Sequence, residues 1–72
     1  MIRPGQVYRS CNPRGPRIQV TGYTPGAARA HVADADTGGR VRQILVRQLH
    51  ATPMTEAGRP RRTGYVLEAD PT

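Results

Sequence analysis

Two alternating segments on either side of a Thr24-Pro25-Gly26-Ala27 turn constrain the fold of this chain more than any other feature. From Arg17 to Tyr23, Ile18, Val20 and Gly22 fall on one face and Gln19, Thr21 and Tyr23 on the other. A period of two is the mark of a strand with one buried side. Proline at the second turn position presets φ and glycine at the third accepts positive φ, as a type II turn requires. Ala28 to Ala33 alternates again, with Ala28, Ala30 and Val32 inward and Arg29 and His31 outward. The two segments are therefore read as an antiparallel hairpin.

The rest of the chain supplies further short strands around that hairpin. Gln6 to Cys11 reads as a first strand, with Val7, Arg9 and Cys11 on one face and Tyr8 and Ser10 on the other. The segment alone does not say which face is buried. Asn12-Pro13-Arg14-Gly15-Pro16 is loop chemistry, and Asp34 to Gly39 is a turn rich in residues that close Asx turns or accept left-handed backbone. Arg40 to Val46 is partly apolar on both faces and is expected to be the most buried strand, or one that bends across the barrel. Val46 to His50 can form one short helical turn with Val46 and Leu49 on the same side. Ala51 to Arg62 holds Pro53, Gly58 and Pro60 without periodicity and is expected to be a long loop, of the length that usually serves function or moves. Thr63 to Ala69 reads as the last strand, with Tyr65 and Leu67 finishing the core opposite Val66 and Glu68. Asp70-Pro71-Thr72 is expected to fray.

This order of five short strands, with tight turns between the second, third and fourth and a helical turn before the fifth, resembles the SH3-like barrels, including their KOW and Tudor-like relatives. The likeness covers residues 5 to 68. It rests on Gly5-Gln6-Val7-Tyr8 opening the first strand, the Thr37-Gly38-Gly39 hairpin, and Ile44 with Leu49 before the final strand. It implies an all-β, five-stranded barrel with a short 3-10 turn before the last strand. An OB-like barrel is the alternative, less suited because it usually needs longer strands and a helix between the third and fourth. The chain is also similar to small proteins of actinobacterial genomes and their phages whose tails read Leu-His, a loop, then Arg-Arg-Thr-Gly-Tyr. That likeness implies the setting of a regulatory or accessory protein of a phage or mobile element.

Seventy-two residues make one domain, 1–72, with a core over about 5–69 and a basic loop at 51–62. Without Phe or Trp, and with three Tyr, the interior must come from Val, Ile, Leu and Ala. A lone Cys11 cannot form an internal disulfide, no apolar run has the length of a membrane span, and the Met1-Ile2-Arg3-Pro4 start has no signal-peptide stretch. The expectation is a cytoplasmic protein without membrane contact. Exposed strand edges in so small a domain also leave homodimerisation open.

Charge carries the functional reading. All eleven basic residues are Arg against five acids, a formal net charge of +6. Residues 1–33 hold five arginines and no acid, and Arg40 to Arg62 holds six against Glu56. A field of this sign attracts polyanions. The densest charge is at Gly58 to Tyr65, where Arg59, Arg61 and Arg62 follow or flank Pro60 on what should be an extended loop. The expected site joins these three to Arg14, Arg17 and Arg29 in one positive surface on the phosphates of duplex DNA, favoured over RNA. Tyr23 and Tyr65 are candidate stacking platforms. Gly58-Arg59-Pro60 echoes part of the AT-hook, but Ala57 stands where the hook has its first arginine. The same charge would suit an acidic protein partner, making the chain an interaction or structural module that docks on it. The opposing expectation is that Arg61 and Arg62 are spent on surface ion pairs with Glu68, Asp70 or the turn aspartates.

Catalysis is not expected. Cys11, His31 and His50 have no spacing that assembles a nucleophile and base, nor the paired spacing of zinc ligands. Asp34 and Asp36 lack the further oxygen ligands of a calcium loop. No Walker loop or Gly-x-Gly-x-x-Gly occurs. No cofactor or metal is therefore expected.

Overall fold

The hairpin around Pro25 and Gly26 forms as its residues dictate. In the computed structural model, which describes residues 2–70, β2 (Ile18–Gly22) and β3 (Arg29–Asp34) pair antiparallel. The Ala27 amide donates to the Thr24 carbonyl at 2.9 Å, and Gly26 takes φ 89°. Ile18 and Val20 are fully buried against Ala30 and Val32 of the opposite arm. Ala28 lies outside the strand and is exposed. Opposite Val20 and Gly22 the register shifts by one residue, leaving Thr21 as an extra residue on β2. Bulges of this kind bend a strand and increase its twist.

β1 (Val7–Ser10), β4 (Arg42–Leu45), β5 (Leu49–His50) and β6 (Tyr65–Ala69) complete one sheet in the order β4-β3-β2-β1-β6-β5. All neighbours are antiparallel except β5 and β6, which run parallel with Leu49 opposite Tyr65 and His50 opposite Val66. A second register shift, opposite Val7 and Tyr8, leaves Glu68 as an extra residue on β6.

This order forces curvature. Laid flat, six strands would put β4 and β5 about 24 Å apart at the usual interstrand spacing. In the chain they are separated only by the 3-10 turn Val46–Gln48. Four residue steps at about 2 Å of rise each reach about 8 Å, and even fully extended only about 14 Å. The sheet must therefore curl until its two edges nearly meet, which gives an all-β, barrel-like sheet that is almost closed. The Val46 amide, donating to the Ala28 carbonyl at 2.9 Å, ties the start of the link to the arm next to β4.

Several sequence expectations are corrected. There are six strands, not five, because Leu49 and His50 leave the helical turn and pair with β6. A two-residue strand is too short to show periodicity, and its partner lies 16 residues further on. The Arg40–Val46 segment is an edge strand, with Ile44 its one buried residue and Val41 72% exposed. The most buried strand is β3, through Ala30, Val32 and Ala33. In β6 the expected pair, Tyr65 and Leu67, does pack half-exposed against the cluster of Tyr8, Ile18, Val20, Val32 and Ile44, and Val66 is buried as well. Loop 51–62 has structure of its own, as described below.

Gln6 is a buried polar residue at the seam between the two ends of the chain. Its Oε1 accepts from the Arg3 amide at 2.9 Å and from the Tyr8 hydroxyl at 3.1 Å. Its Nε2 donates to Asp70 at 3.2 Å, and Arg3 reaches the same carboxylate at 3.0 Å. Burial and the nearby Asp70 charge raise the Tyr8 pKa, so the hydroxyl keeps its proton and remains a donor. Gln6→Leu would fill the same space but leave the Tyr8 hydroxyl and Arg3 amide without an acceptor. A stability loss of about 1–3 kcal/mol is expected, read as a fall of roughly 4–8 °C in Tm per kcal/mol for a domain of this size. An unchanged Tm would show that the seam is not held by this side chain.

Candidate nucleic-acid interface

Loop 51–62 folds back on itself rather than hanging free. Met54 and Pro60 form an isolated antiparallel bridge. The Thr55 amide donates to the Arg59 carbonyl at 2.8 Å, and the Arg61 amide to the Pro53 carbonyl at 2.9 Å. At the tip, Gly58 turns with φ 79° and its amide donates to the Thr55 carbonyl at 2.9 Å. The Thr55 hydroxyl accepts from the Arg59 amide at 3.2 Å. Each of these bonds fixes backbone beside an arginine. Arg61 is held further, its Nε donating to the Thr52 carbonyl at 3.0 Å, which leaves its terminal nitrogens for another acceptor.

Between this loop and the 3-10 turn lies an open groove of about 870 Å³. Arg47 and His50 line it from the turn and β5, and Arg59, Arg61 and Arg62 from the loop. The uncharged lining includes Gln48, Thr55 and Thr63, but no carboxylate and no Phe, Tyr or Trp. Gly64, with φ 81°, sits where the loop enters β6. A Cβ there would lie 2.8 Å from the Gln48 carbonyl oxygen and 3.1 Å from His50 Nε2. Glycine thus permits the loop to pack directly against the strand that carries His50. Burial, followed by the neighbouring Arg61 charge, lowers the His50 pKa from its ordinary value, so the imidazole is neutral at pH 7.

The acids have been drawn elsewhere. Asp70 pairs with Arg3, Asp34 with Arg42 at 3.0 Å, and Arg17 bridges Asp36 and Glu68. Four of the five acids and three of the eleven arginines are used in this way, leaving eight arginines and Glu56. The difference is +7. Among the described residues, Arg47, Arg59, Arg61 and Arg62 form no ion pair. They do not make the contacts with Glu68, Asp70 or the turn aspartates that would have spent them.

Of the residues singled out in the sequence, Arg59, Arg61 and Arg62 are brought together in the groove. Arg17 is not, because its guanidinium is committed to Glu68 and Asp36. Those partners raise the Arg17 pKa, Glu68 more than Asp36. Arg29 is exposed on β3 opposite Leu45, and Arg14 is exposed in the β1–β2 loop, whose first residue Cys11 donates to the Gly64 carbonyl at 3.0 Å. Neither lines the groove. Tyr23 and Tyr65 are half-buried against the core, with the Tyr23 hydroxyl reaching the Ala27 carbonyl at 3.4 Å. Asp34 and Asp36 serve as ion-pair partners. Sequence reasoning missed Arg47 and His50. Local sequence carried no signal for them, because Arg47 lies in the 3-10 turn and His50 in β5, and the pairing of β5 with β6 brings both to the loop.

No group of three or more potential metal ligands occurs among the described residues, and no helix there is long and apolar enough to cross a membrane. Comparison of the chain with protein-family models, curated proteins and solved structures finds no match.

Two outcomes test this geometry. The His50 titration, followed by NMR, should have its midpoint below 6.5 and move part of the way up in Arg61→Ala, since burial remains when the repelling charge is removed. Gly64→Ala should cost about 1–3 kcal/mol in denaturant unfolding, from positive φ and collision with the Gln48 carbonyl. A neutral substitution would mean that the loop does not pack as closely as described.

Proposed function

We propose that this chain is a non-catalytic nucleic-acid-binding barrel of the SH3-like class that contacts the phosphates of duplex DNA through the groove beside loop 51–62. The observation that carries the reading is the separation of charge: four unpaired arginines share one concave site, while four of the five acids are held in ion pairs outside it. Guanidinium groups offer paired donors that match phosphate oxygens. The loop is closed by its own backbone bonds, so less ordering is needed on binding than for a flexible tail. The order β4-β3-β2-β1-β6, with a 3-10 turn after β4, supports the SH3-like assignment.

The contact set differs from the one the sequence suggests. Arg47 joins Arg59, Arg61 and Arg62, while Arg17 is removed by its ion pairs. With His50 the one ring among the lining residues, against four arginines, the groove favours phosphate contact over single-strand stacking.

Titration of a labelled duplex over a range of salt concentrations tests this reading. Four phosphate contacts predict that log K falls with log salt at a slope of about −3.6. In the combined variant Arg59→Ala, Arg61→Ala, Arg62→Ala the slope should drop to about −1, with weakening that is uniform across sequences. A slope near zero in the unaltered protein, or an unaltered slope in the variant, overturns phosphate contact at this groove. Capture of acidic proteins without DNA binding would assign the same surface to a protein partner.

A further inference from the structure

We propose that the groove is built for the end of a nucleic-acid strand, taking a terminal phosphomonoester in preference to the internal phosphodiesters on either side of it. This rests on the reading of the groove as a nucleic-acid site and narrows its ligand.

Shape is the first reason. The open groove, of about 870 Å³, is in the size range of small-ligand sites. A duplex major groove alone is about 12 Å wide. The body of a duplex can therefore meet the arginines only across the rim of the groove, whereas the terminal nucleotide of one strand can enter it.

Charge and valence are the second. Arg47 comes from one side, and Arg59, Arg61 and Arg62 from the other, onto the same space. An internal diester offers one negative charge and two free oxygens. A terminal phosphomonoester brings about −1.5 to −2 at pH 7 and three strong acceptor oxygens. The second form is better matched to four converging guanidiniums, each with five N–H donors. A row of diesters would be matched by arginines spread along a surface, and Arg14 and Arg29, which would extend such a row, lie outside the groove.

Fixity is the third. Of the four guanidiniums that of Arg61 is fixed, through Nε, and the backbone that carries Arg59 and Arg61 is fixed through their amides. Preorganised donors discriminate between phosphate forms better than mobile ones, because a mobile set can follow either. No Phe, Tyr or Trp lines the groove, which leaves the His50 imidazole as the one ring that could compete by stacking on a base. Recognition should thus depend on the phosphate more than on the terminal base.

Three duplexes of one sequence test the proposal: one with 5′-phosphates, one with hydroxyl ends, and a covalently closed dumbbell without ends. Fluorescence anisotropy should show binding about tenfold tighter for the phosphorylated ends than for the other two, and the same preference when the terminal base is changed. Arg47→Gln and Arg62→Gln, whose side chains make no bond that holds the fold, should abolish the preference, while Arg40→Gln at the β3–β4 turn should retain it. Equal affinity for all three duplexes overturns the terminal-phosphate proposal and leaves the phosphate-contact reading standing. A preference that survives both groove substitutions overturns the placement in the groove. Absence of binding to every duplex at low salt overturns both.

Discussion

The short link between the two edge strands governs this molecule. β4 and β5 stand at opposite ends of the sheet order, yet only Val46–Gln48 separates them in the chain. A flat sheet cannot satisfy that connection, so the bulges at Thr21 and Glu68 and the curl of the whole sheet follow from it. Closure also lets an interior without Phe or Trp suffice. Ile18, Val20 and Val32 form one cluster with Tyr8 and Ile44 inside the curved sheet, and Leu49, Tyr65 and Leu67 pack against it. An open sheet of such small side chains would leave one face wet.

The same link builds the groove. By returning the chain from β4 to β5 within three residues, it sets Arg47 and His50 beside β6, where loop 51–62 comes back to Gly64. The parallel pairing of β5 with β6 then fixes the distance between the turn and the loop. Two prolines, Gly58 and contacts of Thr52 and Thr55 hold the loop, but its location comes from the barrel seam. Arginines that would otherwise be a basic tail thus face a wall that also carries positive charge.

Ion pairing completes the arrangement by sorting charge. Arg3, Arg17 and Arg42 collect Asp70, Asp36, Glu68 and Asp34, in each case through contacts set by the sheet or by its end seam. The more exposed of these pairs, those of Arg3 and Arg17, contribute little stability individually. Their larger effect is to occupy the carboxylates, so that the groove keeps an uncompensated field. In this sense Arg17 bears on the site from outside it.

What the sequence determined by itself was local. The period of two from Arg17 to Ala33, and Pro25-Gly26 between its halves, specified a hairpin, its buried face and its turn type, because strand faces and turn dihedrals depend on neighbouring residues. The density of arginine at 59–62 likewise marked the loop that carries three of the groove's cations. The tertiary structure decided what depends on distant partners. Arg40–Val46 reads as buried from its composition, but edge position follows from sheet order. Leu49-His50 becomes a strand only because Tyr65-Val66 lies alongside. Arg17 and Arg62 are indistinguishable as letters, and the fold put carboxylates next to one and not the other. Burial, pairing and convergence are properties of the closed sheet, and closure is a relation between strands that no local window contains.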